Sequence, residues 1–309
     1  MAMPGSTRRR EFWLGGVIVA VVLLIAVGCT VVMLVTLETG GETASTNLEL
    51  PDEWQSVHGV REVTAVDESR RIPGDNFGEA DSWEHSARLE VTLEGDLSGP
   101  EAAAAGREVL RLLEPEFARL VPGAGPDRTS ASFAIGSVET WVGASGLDPL
   151  EAVGDALADA VALREAGATS VSLSVSQVQT GDPGKADVRA PKEVLVQVAT
   201  VARSRQRPVD LLGDEAWYRS NELPDPVAVR LVVDASARPS VTTAQLSAPY
   251  DPLTVLVEAA EGDRVLDDVS RWLTAYDGYP GRSAQPLAYV VQGTRGGMVE
   301  GWVGGARRP

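Results

Sequence analysis

The chain has 309 residues, of which 44% are hydrophobic and 23% are charged, and this balance excludes a wholly disordered or collagen-like chain. Acidic residues outnumber basic ones 44 to 27, which gives a formal net charge of −17. Because phosphate binding needs clustered Lys and Arg, we expect no nucleic-acid partner. The single cysteine, Cys29, excludes an intramolecular disulfide framework and a Cys-rich zinc site.

The strongest local signal is an uncharged apolar run at residues 12–37. About 20 apolar residues are enough for a helix to cross a bilayer, so this run predicts a transmembrane helix. The next basic residue after the run is Arg61, whereas three arginines precede it: Arg8, Arg9 and Arg10. The positive-inside rule then places residues 1–11 in the cytoplasm. We therefore expect a single-pass cell-membrane protein whose C-terminal domain is extracytoplasmic and whose lipid contact is made by residues 12–37.

Two other interpretations of this region fit its residues less well. A cleaved signal peptide has an apolar stretch of about 7–15 residues, which is shorter than the stretch found here. The segment Ala26-Val27-Gly28-Cys29 resembles a bacterial lipobox, in which the cysteine is acylated. Ala26 stands where such a motif usually has Leu, and the apolar run continues beyond Cys29. The length of the apolar run argues against a cleaved signal peptide, and the residues around Cys29 argue against a lipobox. We therefore expect an uncleaved anchor.

The remainder of the chain divides by composition. Residues 38–55 are interpreted as a tether, because the first part of this range is polar and rich in Gly, Thr and Glu. Two lobes with mixed helices and strands are predicted at 56–180 and 193–309. The segment from Gly181 to Lys192 is the predicted linker between them, and whether they form one domain or two stays open.

Alternation of apolar and polar residues predicts the strands. The pattern begins with a half-buried strand at 86–94, where Ala87, Leu89, Val91 and Leu93 share one face. Residues 132–142 contain a central Gly136-Ser137 and fit either one bent strand or a tight hairpin. Further predicted strands are 170–178, 194–201, 227–234, 287–292 and 298–303.

Three helices are predicted, each beginning near a proline. The first runs from Pro100 to about residue 120, and Pro115 inside it should kink or split it. The second begins at Asp148-Pro149, where Asp is a favoured N-cap and Pro suits the first helical position, and Gly167 suits its end. The third repeats this start at Asp251-Pro252 and leads towards Tyr276.

The order of these elements predicts the fold class. Helices alternate with pairs of strands, which indicates an α+β ectodomain of repeated helix and strand-pair units. The Ser-rich faces of several strands suit a sheet with one solvated face. We therefore expect helices packed on a mainly antiparallel sheet.

The sequence contains no complete catalytic or metal-binding motif. His58 and His85 are the only histidines, and neither accompanies a Ser or Asp motif, so a Ser-His-Asp triad has weak support. No HExxH pattern occurs, and the only thiol lies in the predicted span. We expect no cofactor, although dispersed carboxylates leave a hydrolase mechanism open.

Trp217 and Tyr218 are the best candidates for partner contact. They lie in a loop-like stretch at residues 213–226, and large aromatic residues are enriched at interfaces. Only two of the 27 basic residues are lysines, a bias typical of high-GC bacterial genomes. The sequence thus predicts a membrane-anchored extracytoplasmic binding or interaction protein of a bacterial cell envelope, with an envelope protein or a cell-wall polymer as its partner. The alternatives are an envelope hydrolase and a structural subunit of a membrane complex.

Overall fold

The computed structural model describes residues 43–48, 50, 52–72, 82–120, 129–136, 139–145, 150–176, 184–248, 251–279 and 286–305. The predicted membrane span at 12–37 lies outside these residues, as do Cys29 and the three arginines Arg8, Arg9 and Arg10. Within the described ranges, no helix combines the length and the apolar character that crossing a membrane requires. The anchor therefore stays a prediction.

The chain forms two compact units. One consists of residues 1–45 and 68–84, and the other of residues 46–67 and 85–309. All residues from 85 onwards belong to the second unit.

Strands and helices alternate along the described chain. The strands are β1 (Thr43–Leu48), β2 (Val60–Ile72), β3 (Ser82–Leu93), β4 (Thr129–Ile135), β5 (Glu139–Ser145), β6 (Ser170–Ser176), β7 (Ala186–Arg189), β8 (Val209–Leu212), β9 (Ala216–Ser220), β10 (Val241–Ala248), β11 (Leu253–Ala260), β12 (Ala288–Arg295) and β13 (Met298–Trp302). The α-helices are α1 (Gly99–Leu120), α2 (Leu150–Glu165), α3 (Leu195–Ser204), α4 (Pro226–Ser236) and α5 (Arg264–Thr274). Short 3₁₀ turns lie at Asp52–Trp54, Lys192–Val194 and Val303–Gly305.

Strands β3 to β13 lie side by side in chain order. From β3 onwards, two strands joined through a helix are parallel, and two strands joined directly are antiparallel. A helical crossover returns the chain to the end of the sheet at which the preceding strand began. The strands before and after a helix therefore run in the same direction. The mixed helix-and-strand class is confirmed. The expectation of a mainly antiparallel sheet is wrong, because parallel and antiparallel pairs alternate.

The helices cover one face of the sheet, where alternate strand residues are buried. In β4, Ala131, Phe133 and Ile135 are buried, whereas the residues between them are half-exposed. Helices α1 and α2 approach closely at Gly106, where any side chain would overlap Leu157. The apolar residues of helices and strands join into one buried cluster. Hydrophobic burial of this face stabilises the fold.

Several predicted elements are confirmed by the structure. Residues 132–142 lie in a hairpin of β4 and β5, so the hairpin alternative is correct and the single bent strand is wrong. Helix α2 ends as predicted at Gly167, which has a φ of 104° and lies in the left-handed region. The N–H groups of Gly167 and Ala168 donate to the carbonyls of Arg164 and Leu163, which is the hydrogen-bond pattern of a Schellman cap.

Three predicted elements are wrong, and so is the predicted split of a helix. The patterns at 194–201 and 227–234 predict strands, but residues 195–201 lie in α3, after a 3₁₀ turn that ends at Val194, and residues 227–234 lie in α4. The third predicted helix start, Asp251-Pro252, leads into β11, and α5 begins instead after the N-cap Asp263. The first helix is continuous through Pro115 and does not split there.

Candidate functional site

An open cleft of about 1040 Å³ lies at one end of the sheet. It forms where β9, β10 and β13 end and where β11 and β12 begin. Its aromatic lining residues are Tyr218, Tyr279, Tyr289 and Trp302. Its carboxylates are Glu222, Asp225, Asp251 and Glu300. Among the described residues that line this cleft there is no Lys or Arg, so the cleft combines apolar walls with negative charge.

Tyr218 forms part of one wall of the cleft. Within the stretch predicted as a loop, residues 216–220 form strand β9, in which Tyr218 is only 2% exposed. Its hydroxyl accepts a hydrogen bond of 3.2 Å from the backbone N–H of Asp225. The carboxylate of Asp225 in turn accepts from the N–H of Val227 and caps α4. Burial raises the pKa of the Tyr218 phenol, so the side chain stays neutral at physiological pH.

Tyr289 fixes the opposite wall. Its hydroxyl lies 2.6 Å from Ser270 Oγ and 2.8 Å from Thr274 Oγ1, and it also donates to the carbonyl of Ser270 at 3.1 Å. These contacts tie β12 to α5. Gly301 pairs with Tyr289 in the neighbouring strand, where any side chain would overlap the tyrosine ring. Tyrosine and glycine together set the position of β13 beside the cleft.

We expect Tyr289→Phe to lower the free energy of unfolding by about 1–3 kcal/mol, because the buried hydroxyl of Ser270 would lose its partner. A urea titration of the full chain in non-ionic detergent measures this change. Thr200→Ala is the matched control, because it removes an exposed hydroxyl that bonds only to a helix carbonyl. Equal stabilities for the two variants would contradict the structural role of the Tyr289 hydroxyl.

A lysine lies just beside the cleft, and its charge is balanced. Lys185 Nζ is 2.7 Å from Asp210 Oδ1 and donates to Asn221 Oδ1 at 3.2 Å. Asp210 also accepts from the backbone N–H of Ser220 at 3.1 Å. A small depression that contains Lys185 shares Ser220, Ala248 and Asp251 with the cleft. Because Asp210 pairs with the lysine, the negative charge of the cleft is not offset from this side.

Trp217 lies on the opposite face of β9 from Tyr218, as adjacent strand residues do. Its indole N–H donates to the carbonyl of Gly213 at 3.0 Å, and the ring is half-buried. It lines a separate depression of about 500 Å³ that shares no residue with the cleft. The structure therefore places the two predicted contact residues at different sites, and their role in partner contact stays a prediction.

The two histidines are also apart. His58 lines a depression beside Glu101 and Glu108, whereas His85 Nδ1 lies 3.6 Å from Asp67 Oδ1. In the part of the chain that the structure describes, no group of three or more His, Cys, Asp or Glu residues could hold a metal ion.

A buried ion pair that the sequence did not predict joins α2 to the segment before β8. Arg207 donates to Asp159 Oδ2 through Nη2 at 2.6 Å and through Nε at 2.9 Å, and both side chains are at most 8% exposed. Arg207 also donates to the carbonyl of Gly184 at 3.1 Å. Burial raises the pKa of Asp159, and the two nearby arginines, Arg207 and Arg205, oppose this effect. Through this last contact the pair is linked to Gly184, which precedes Lys185 and the start of β7.

Comparison of the chain with protein-family models, with curated proteins and with solved structures finds no match.

Proposed function

We propose that this protein is a membrane-anchored, extracytoplasmic binding protein of a bacterial cell envelope. In this proposal residues 12–37 form the anchor, residues 1–11 lie in the cytoplasm, and the cleft is the ligand site. The observation that carries the proposal is a large cleft with four aromatic side chains, four carboxylates and no basic residue among its described lining. Ligand sites are commonly concave, largely apolar and provided with a few polar groups.

The chemistry of the cleft favours a basic segment of another envelope protein. Glu222, Asp251 and Glu300 are exposed and attract cationic groups. The methylene stems of Lys and Arg pack on apolar surfaces while their charged ends reach polar groups. Aromatic faces such as that of Trp302 add attraction for a cation. A peptide with alternating basic and aliphatic residues meets both requirements.

The test compares two peptides of equal length on the full chain in non-ionic detergent micelles. One is a ten-residue peptide of Lys and Leu, and the other has Gln in place of every Lys. We expect the basic peptide to bind about tenfold more tightly, because each charge-assisted hydrogen bond contributes about 1.5–3 kcal/mol. Isothermal titration calorimetry measures both affinities.

The variant Asp251→Asn/Glu300→Gln removes two charges from the cleft and should abolish the preference for the basic peptide. The variant Glu165→Gln/Glu193→Gln removes two exposed charges elsewhere and should preserve it. Equal binding of the two peptides by the unmodified protein, or an equal effect of the two variants, would contradict the proposal.

An envelope hydrolase is the second candidate, because the structure brings carboxylates from separate elements to one cleft. Paired carboxyl groups flanking a bond can hydrolyse glycosides. Release of reducing sugar from purified cell wall by the full chain, lost in Asp251→Asn/Glu300→Gln but retained in Glu165→Gln/Glu193→Gln, is the expected result for a hydrolase. If the full chain releases no reducing sugar from the cell wall, the result favours the binding protein over the hydrolase.

A further inference from the structure

The helix-free face of the sheet carries a second feature, centred on Trp217. Arg189 of β7 pairs in register with Leu212 of β8, which pairs with Trp217 of β9. Neighbouring strands are about 4.8 Å apart, so the backbones of Arg189 and Trp217 are separated by about 10 Å. Arg219 follows Trp217 by two residues and therefore points to the same face. All four residues line the depression of about 500 Å³ described above, which is called the Trp217 surface from here on.

Trp217 presents a fixed flat ring on this surface. Its indole N–H is held by the carbonyl of Gly213, and the ring lies in a depression that Pro191 and Leu212 also line. A ring fixed in this way loses little conformational entropy when a ligand packs on it. The C–H face of a sugar ring is flat and apolar, and it fits the face of an indole.

The charges of the Trp217 surface differ from those of the whole protein. In the part of the chain that the structure describes, Arg189 and Arg219 make no ion pair and no side-chain hydrogen bond, although the chain has a net charge of −17. Both side chains are exposed. Two of the nearby acidic residues have basic partners: Asp210 is bound to Lys185, and Glu215 accepts from Lys192 at 3.2 Å, whereas Asp187 and Asp214 make no ion pair among the described residues. Two guanidinium groups are thus available to an anion.

A hydrogen-bonding group completes the surface. Asp214 lines the same depression and is exposed. A carboxylate accepts hydrogen bonds from hydroxyl groups but repels an anion, so it suits a ligand that carries hydroxyl groups as well as negative charge. This carboxylate would repel a polymer that carries phosphates but no hydroxyl groups. An anionic sugar chain has an apolar ring face that suits the indole, acidic groups that suit the guanidinium groups, and hydroxyl groups that suit the carboxylate.

We propose that the Trp217 surface binds an anionic glycan, a sugar chain that carries carboxylate or phosphate groups. A sugar ring packs on Trp217, Arg189 and Arg219 bind acidic groups on the sugars that flank it, and Asp214 accepts from hydroxyl groups. The guanidinium fork binds both carboxylate and phosphate in a bidentate geometry. The Trp217 surface and the cleft share no lining residue, so this inference is independent of the function proposed for the cleft.

The test titrates the full chain in non-ionic detergent micelles with three polymers of similar length. Polygalacturonate supplies carboxylates, poly(glycerol phosphate) bearing glucose supplies phosphates, and dextran is neutral. We expect at least one charged polymer to bind about tenfold more tightly than dextran, and the comparison of the two shows which acidic group is preferred. Added salt should weaken this binding, because the guanidinium groups are exposed.

The variants assign the binding to the surface. Arg189→Gln/Arg219→Gln should weaken binding of the charged polymer about tenfold or more, because charge-assisted hydrogen bonds are lost. Arg264→Gln/Arg295→Gln removes two exposed arginines elsewhere and should change it less than about threefold. Trp217→Ala should weaken binding of every polymer, while Trp217→Tyr, which keeps a flat ring and is the safer variant for folding, should retain most of it.

Three results would overturn the proposal. The first is equal affinity for dextran and both charged polymers. The second is an equal effect of the two arginine variants on polymer binding. The third is binding to anionic lipid vesicles without binding to either charged polymer. The cleft variant Asp251→Asn/Glu300→Gln should leave polymer binding unchanged, which separates a failure of this inference from a failure of the cleft proposal.

Discussion

Asp159→Ala is expected to lower the free energy of unfolding by about 3–5 kcal/mol. The substitution removes the only carboxylate that Arg207 contacts in the described structure, and Arg207 is only 5% exposed. A buried charge without its partner loses its compensating interaction but keeps its desolvation penalty. The remaining contact of Arg207, with the carbonyl of Gly184, does not neutralise it. Urea unfolding of the full chain in non-ionic detergent, followed by far-UV circular dichroism, measures the change.

A double variant separates the buried charge from lost packing. In Asp159→Leu/Arg207→Met both charges are replaced by apolar side chains, and such replacements are often neutral or stabilising. We expect the double variant to be more stable than Asp159→Ala. Asp155→Ala, at an exposed position of the same helix, should change stability by less than about 0.5 kcal/mol. If Asp159→Ala matched Asp155→Ala, the ion pair would contribute nothing to the fold.

Trp54→Ala should also lower the free energy of unfolding, by about 3–5 kcal/mol. Trp54 is 2% exposed and belongs to the buried apolar cluster, although the sequence assigned it to the tether at 38–55. Its removal leaves a cavity and exposes apolar surface to water. The same unfolding titration measures the loss.

Gln55→Ala is the control for Trp54→Ala, because Gln55 is exposed and adjacent in sequence. It should leave the unfolding midpoint almost unchanged. A small effect of Trp54→Ala, comparable with that of Gln55→Ala, would show that the segment before β2 is not part of the packed body.

The periodicity of the sequence predicts strands well where Ser or Thr alternates with Val or Leu, as in β6. It fails where Val is abundant in helices. In α3, Leu195, Val198, Ala199 and Ala202 are buried at helical spacing, but the β-branched residues around them favour a strand by propensity. Tertiary packing of one helical face overrides the weak local preference.

Helix starts show how one signal can have two outcomes. Asp followed by Pro begins α4 at Asp225, whose carboxylate accepts from the N–H of Val227. The same dipeptide at Asp251 precedes β11. Proline fixes only its own φ, which suits both a helix start and the entry to a strand, so the residues that follow decide.

The cleft could not be predicted from the sequence. Glu222, Asp251 and Glu300 come from separate segments, and only the order of the strands brings them together. The buried pair of Asp159 and Arg207 joins residues 48 apart for the same reason. An available hint was the position of Asp159, which stands among apolar residues on the buried side of α2.

Single-cysteine labelling tests most directly whether the protein is anchored with its binding domain outside the cell. In a Cys29→Ser background, Thr200→Cys places a thiol at an exposed position of α3, and Ser6→Cys places one before the predicted span. We expect a membrane-impermeant maleimide to label Thr200→Cys on intact cells and to label Ser6→Cys only after lysis. If Thr200→Cys reacted only after lysis, the extracytoplasmic location of the cleft and of the Trp217 surface would be contradicted.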